Sequence, residues 1–356
     1  MMHRHRSLAG TFRAFHPFRS ARFVAAHCHA AAVRLGFGLV ALAVTVAMAA
    51  VPRAAVAMQW PDKPVRIVVP FSAGGATDLL GRALGVELGK IWGQSVVVDN
   101  RPGAGGGVGA EHVATSASDG YTLLMPSASM FTVNPFVYSK LPYSVDSFEM
   151  ITVVAQGPMV VTVNSAVPAA TLQELIAHGK ANPGKLHFGS AGNGSQVHMA
   201  AEAFADASGL SMVHVPYKGD GPAMADLMAG TIQLVVGNMN TVSPLLKGDR
   251  LRALAVTSAE RSAMLPDVPT AAEAGVPGFE FVGWFGLAAP AGTPRALVEK
   301  IDADVRKAAA QEGMKRYLRD QGMTIAIAGP DGMKSRIGSE SERWKKLVTA
   351  RNIRAN

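Results

Sequence analysis

The sequence predicts an α/β protein of two lobes, each a mostly parallel sheet flanked by helices, joined by a hinge. Three observations lead there. Short apolar, β-branched runs alternate with helical patterns along most of the chain. The roughly 299 residues that follow the N-terminal leader can build two hydrophobic cores. The last third is turn-rich and then helical, as expected of a chain that leaves one lobe, builds a second and returns to the first.

Val65-Arg66-Ile67-Val68-Val69-Pro70 is a nearly continuous apolar run, the pattern of a strand covered on both faces. A loop from Phe71 to Gly75 follows, and Leu80, Leu84 and Leu88 then recur at helical spacing. The unit repeats: a strand from Ser95 to Val98 leads through a glycine-rich loop to a helix near Gly109 to Ala117, then to a strand from Tyr121 to Met125. Further strands are expected at Met159 to Val163, Leu186 to Phe188, Met212 to Val215, Ile232 to Val236 and Leu251 to Val256. Helices are expected at Thr171 to Gly179, opened by a capping box of Thr171 and Glu174, at Gln196 to Ala207 and at Pro222 to Ala229. The final third adds a strand-like Trp284 to Leu287 and helices from Arg295 to Gln311 and from Pro330 to Thr349. Alternation of this kind implies parallel sheets with crossover helices. Crossings near Val160 and Phe279 would make lobe 1 of 58–160 with 280–356, and lobe 2 of 161–279.

The first 57 residues hold seven arginines and no Lys, Asp or Glu, and an apolar run from Leu35 to Val51 ends at Pro52. With Ala55-Val56-Ala57 as the cleavage signal, 1–57 reads as a secretory signal peptide and Met58 as the mature start. No adjacent arginine pair occurs there, which favours general over twin-arginine export. A periplasmic location follows as an expectation.

Of the 34 Lys and Arg, seven lie in this leader, so the mature chain has 27 against 26 Asp and Glu, a net charge of +1. Nucleic-acid binding, which requires a basic stripe on the domain, is thereby disfavoured. The one cysteine, Cys28, is also in the leader, so neither a disulfide nor a thiolate metal site nor a cysteine nucleophile is expected. The five mature histidines lack metal-ligand spacing, and no metal or other cofactor is expected.

Four loops that follow strands and precede helices are rich in glycine or small polar residues: Ser72 to Thr77, Pro102 to Gly109, Ser190 to Ser195, and Lys218 to Gly221. A helix amino end carries unpaired N–H groups and partial positive charge, and glycine lets a ligand approach the backbone. Taken singly, such loops are often only tight turns; several in one chain, interleaved with Ser72, Thr77, Ser190 and Ser195, point to an anion site. Gly105 to Ala110 satisfies G-x-G-x-x-A, yet no acidic residue closes the next strand, which ends Leu124-Met125-Pro126. Walker A and G-x-S-x-G motifs are absent. Ser195 and His198 could face each other as nucleophile and base, but a helix-capping serine and a packed histidine explain them better. No enzyme is expected, a serine hydrolase being the lesser alternative. Lys218 reads equally as a charge for a carboxylate or as a solvated loop lysine. Asp78 suits the helix macrodipole and could also meet a ligand amino group.

These stretches together resemble the tripartite tricarboxylate transporter receptors, the TctC or Bug family of periplasmic binding proteins, from Trp60 to about Ala350. The carriers are Pro70 to Asp78, Asn100 to Gly106, Asp119 to Leu123, Gly189 to Ser195 with His198, Val215 to Gly219 with Gly221 to Ala223, Leu251 to Thr257, and Pro269-Thr270 with Gly275. The resemblance implies the type II two-lobed periplasmic-binding fold and a small carboxylate ligand: a di- or tricarboxylate, acidic amino acid or aromatic acid. Membrane transporter subunits are the expected partner, with a membrane sensor kinase as the alternative, and a monomer is expected. The implied site comprises Phe71, Ser72, Ala73, Gly74, Gly75, Thr77 and Asp78; Ser127 and Ala128; Ser190, Ala191, Gly192, Asn193, Gly194, Ser195 and His198; Tyr217, Lys218 and Gly219; and Asn238. Two positions depart from the family pattern. Asp220 stands where a small or neutral residue is expected, and Gly237 where a polar one, often Asp, precedes Asn238.

Overall fold

A computed structural model describes residues 60–355 of the chain. The expected signal peptide and its cleavage signal lie outside the described residues. From Pro61 onward the chain forms one compact unit, and the elements below belong to it.

The first strand, β1 (Val65–Val69), runs parallel to β2 (Val96–Asn100) on one side and to β3 (Thr122–Leu124) on the other. Helix α1 (Ala76–Trp92) connects β1 to β2; Leu80, Leu84 and Leu88 are fully buried, as their spacing predicted. Gly93, in the left-handed conformation, stops it and donates to the Gly89 carbonyl. Helix α2 (Gly107–Ala114) leads to β3, and two single-turn helices, α3 (Ser129–Thr132) and α4 (Asn134–Val137), follow it.

The centre of the sheet is β4 (Phe148–Asn164), which extends well before the strand expected at Met159 to Val163. Gln156-Gly157-Pro158 has the composition of a break, yet the strand passes through it with Gly157 and Pro158 paired to Gly283 and Val282. From Phe148 to Pro158 its partner is the antiparallel β9 (Val282–Pro290), with two register shifts. From Met159 onward the partners are β7 (Leu234–Asn238) and β8 (Leu251–Val256), also antiparallel.

Beyond this point come α5 (Leu172–Ala181), β5 (Leu186–Ser190), α6 (Gln196–Ser208), β6 (Met212–Pro216) and α7 (Asp220–Ala229), with β5 parallel to β6 and β7. At α5 the Thr171 hydroxyl accepts from the Glu174 amide, but the Glu174 carboxylate reaches Ala170 rather than closing the box on Thr171. The single turn α8 (Met239–Val242) follows β7 directly. After β9 the chain ends in α9 (Arg295–Ala309), α10 (Glu312–Asp320), the two-residue β10 (Thr324–Ile325) and α11 (Gly329–Ala350). Helix α10 and the pairing of β10 with β4 went unread in the sequence.

The result is an α/β fold around a curled sheet of order β2-β1-β3-β9-β4-β7-β5-β6. The mostly parallel sheet expected from sequence is mixed at its centre, where β4 and β9 each carry the chain back across the sheet against their neighbours. Two apolar clusters line it. One gathers Phe188, Phe204, Leu234 and Phe279 around β5, β7 and the second part of β4. The other gathers Val68, Leu124, Phe131 and Phe148 around β1, β3 and β9, with the Phe131 and Phe148 rings 5.5 Å apart. Among the described residues, no helix is long and apolar enough to cross a membrane.

Candidate functional site

Each loop singled out in the sequence follows the carboxyl end of a strand, the usual location of ligand crevices in open α/β sheets. The loop after β1 begins at half-buried Ser72. Its amide and hydroxyl both donate to the Lys218 carbonyl, at 3.2 and 2.8 Å. The close approach depends on Gly219 (φ 157°), where a Cβ would lie 2.9 Å from that of Ser72. Lys218 therefore contributes its carbonyl, while its side chain is exposed to solvent.

The amides at the start of α1 were expected to stand bare, but two of them already have carboxylate partners. Gly74 donates to Asp78 at 2.9 Å, and Ala76 donates to Oδ2 of Asp220 at 3.2 Å. Asp78 is buried, and burial would raise its pKa; hydrogen bonds from Arg82, Gly74 and Asn100 hold it below the usual value instead. It braces the loop. Asp220 is 9% exposed and forms no ion pair among the described residues. Burial pushes its pKa up against the two hydrogen bonds it accepts.

The loop after β5 is similarly self-satisfied. Ser190 Oγ accepts from the Gly192 amide at 3.1 Å and lies 2.6 Å from His214 Nε2. Ser195 caps α6 by accepting from the His198 amide, as read from the sequence. His198 Nδ1 accepts from Gly194, and its Nε2 lies 3.7 Å from Glu202, so the ring braces the loop with both nitrogens turned to partners other than the Ser195 hydroxyl. His198 stacks on His214 with ring centres 3.8 Å apart. Burial, then the neighbouring His198, depresses the His214 pKa to about 3. Asn193 offers its carbonyl to the Tyr138 hydroxyl at 2.8 Å, and Tyr217 donates to Asp226 at 2.6 Å.

Between these loops lies a small cavity lined by Phe71, Thr77, Ser127, Ala191, Ser195, Gln196, Val197, Asp220 and Asn238. Phe71, Thr77, Ser127, Ala191, Ser195 and Asn238 belong to the set expected from sequence. Gln196, Val197 and Asp220 do not, although Gln196 and Val197 merely continue the capping loop into the first turn of α6. Of the remaining expected residues, Ser72, Gly74, Gly192, Gly194 and Gly219 shape or fasten the loops, a Cβ added at Gly75 would stand 3.5 Å from Asp220 Oδ2, and Ala73 is exposed. Ala128 and Gln196 also border a second pocket, formed with Phe281, Glu340 and Trp344. Among the described residues, no group of His, Cys, Asp and Glu is arranged to hold a metal.

One polar chain runs through the cavity wall. Asn238 Nδ2 donates to Asp220 Oδ2 at 3.1 Å, and Gln196 Nε2 donates to Asn238 Oδ1 at 3.2 Å. Gln196 Oε1 is left buried without a partner.

The profile of a family described as "Tripartite tricarboxylate transporter family receptor" matches residues 80–353. Three solved structures share the fold at high coverage. One, "R. palustris Rpa4515 with adipate", is 35% identical with a TM-score of 0.79 and covers 82% of this chain and 97% of its own. The periplasmic binding protein BugD is 32% identical with a TM-score of 0.79, covering 83% and 100%. "MatC (Rpa3494) from Rhodopseudomonas palustris with bound malate" is 30% identical with a TM-score of 0.77, covering 81% and 100%. These are substrate-binding proteins, not enzymes.

Proposed function

Because the chain belongs to the family of tripartite tricarboxylate transporter receptors, we propose that it captures a small carboxylate-bearing solute in the periplasm and delivers it to a membrane transporter. The observation that carries this reading is the convergence of Phe71, Thr77, Ser127, Ala191, Ser195 and Asn238, drawn from distant parts of the chain, on one small cavity. The adipate and malate held by two relatives supply the chemical class.

In this proposal the lobes are 58–160 with 280–356, and 161–279, and β4 and β9 run between them. The change of β4 partners at Pro158 and Met159 supports a hinge there. Three contacts fasten the loops across the cleft: Ser72 to Lys218, Ala76 to Asp220, and Tyr138 to Asn193. Closure of this kind sheds water, and fixed dipoles act more strongly at the lower dielectric that results. Leader cleavage after Ala57 would release the mature chain for this task.

The test is a thermal-shift screen of the exported chain against carboxylates, neutral sugars and divalent metals. A carboxylate should raise the melting temperature, and above its Kd the rise should grow with the logarithm of its concentration. A rise with sugars or metals alone would refute the reading.

A further inference from the structure

We propose that Asp220 makes this receptor select a carboxylate solute that also carries a hydrogen-bond-donating nitrogen, an ammonium or an amide N–H, over the plain dicarboxylate of the same length. The inference rests on the carboxylate-receptor reading and names the second group of its solute.

The geometry begins with the α1 amino end, where the Ala76 amide is already held by the protein's own carboxylate. Asp220 Oδ2 is saturated by Ala76 and Asn238, and no donor among the described residues reaches its other oxygen. A carboxylate can only accept, so Asn238 must turn its Nδ2 toward it, which leaves Asn238 Oδ1 as the acceptor for Gln196 Nε2. That fixes the Gln196 amide with Oε1 as its free end, buried and unpartnered. The cavity wall therefore presents two acceptors in want of donors, Asp220 and Gln196, and both line the same space.

A second carboxylate set against these two groups would meet like charge at Asp220 and another acceptor at Gln196 Oε1. An ammonium or amide nitrogen would satisfy the open acceptors and, if cationic, neutralise a buried charge that has no partner. The raised pKa of Asp220 agrees with a carboxylate awaiting compensation.

The experiment is calorimetric titration of the exported chain with matched pairs: glutarate and glutamate, succinate and succinamate, adipate and 2-aminoadipate. The nitrogen-bearing member of at least one pair should bind at least 10-fold tighter than its parent. Asp220→Asn should reduce that preference to less than 3-fold, and Asp220→Ser, which leaves a small neutral side chain, provides the same reading if the asparagine variant fails to fold. Tighter binding of every parent dicarboxylate by the unmodified chain overturns the inference and leaves the receptor reading intact. Binding of no member of any pair, nor of any other carboxylate, overturns the receptor reading itself.

Discussion

The carbonyl of Lys218 accepts both the amide and the hydroxyl of Ser72, a residue 146 positions away. One peptide oxygen thus ties the loop after β1 to the loop before α7. In the two-lobe proposal this is a latch, and its strength contributes to closure. Ser72→Ala removes the hydroxyl donor and keeps the amide. A hydrogen bond of this kind is worth about 1 kcal/mol, so solute affinity should fall roughly 5-fold, read by calorimetry. An unchanged affinity would show that the contact plays no part in binding.

Gly75 lies at the entrance to α1 with φ −80°, a backbone any residue can adopt. A Cβ there would stand 3.4 Å from the Ser72 carbonyl and 3.5 Å from Asp220 Oδ2, so alanine is nearly accommodated while the branches of valine enter the space beside Asp220. Gly75→Val should preserve the far-ultraviolet circular dichroism spectrum and weaken solute binding by about 10-fold or more. Full affinity in a folded Gly75→Val protein would remove this loop from the site.

Ser195 caps α6 through the His198 amide. Ser195→Ala should cost about 1 kcal/mol and lower the melting temperature by roughly 2–4 °C. Differential scanning calorimetry reads this directly; no loss would mean that another group takes over the cap.

His214 stays neutral in the fold, its pKa driven to about 3 by burial and by His198, whereas an unfolded histidine titrates near 6.5. The unfolded chain therefore binds a proton first as the pH falls. Stability from this residue is fully present above pH 6.5 and is lost progressively toward pH 3, with a slope of up to about 1.4 kcal/mol per pH unit. Asp220, with its raised pKa, acts in the opposite sense, losing stability as pH rises above about 4. The informative quantity is consequently the difference between the unmodified chain and His214→Asn in urea denaturation between pH 7 and pH 4.5. The variant should show the shallower decline; parallel slopes would contradict the assignment.

Much of the candidate cavity's lining was legible because the elements that carry it are locally encoded. The β1 run, the glycine loop after it and the leucine spacing of α1 specify strand, turn and helix without reference to the rest of the chain. The Ser195 cap and the strand-loop-helix units up to β7 were readable for the same reason. The full extent of β4 was not, because Gly157-Pro158 is locally turn-like and only the facing β9 holds it extended. Helix α10 is short and mostly polar on the outside, and it rests on two buried residues, Met314 and Leu318.

By itself, the sequence determined the α/β class, the leader-like amino terminus, the glycine-rich loops and the family to which they belong. The tertiary structure alone decided that Asp220 caps α1, that Ser190 meets His214, and that Gln196 is left with an open acceptor. The reason lies in range. Periodicity and capping act over a few residues, whereas Ala76 and Asp220 are 144 positions apart and meet only because sheet order brings two strand ends to one cleft.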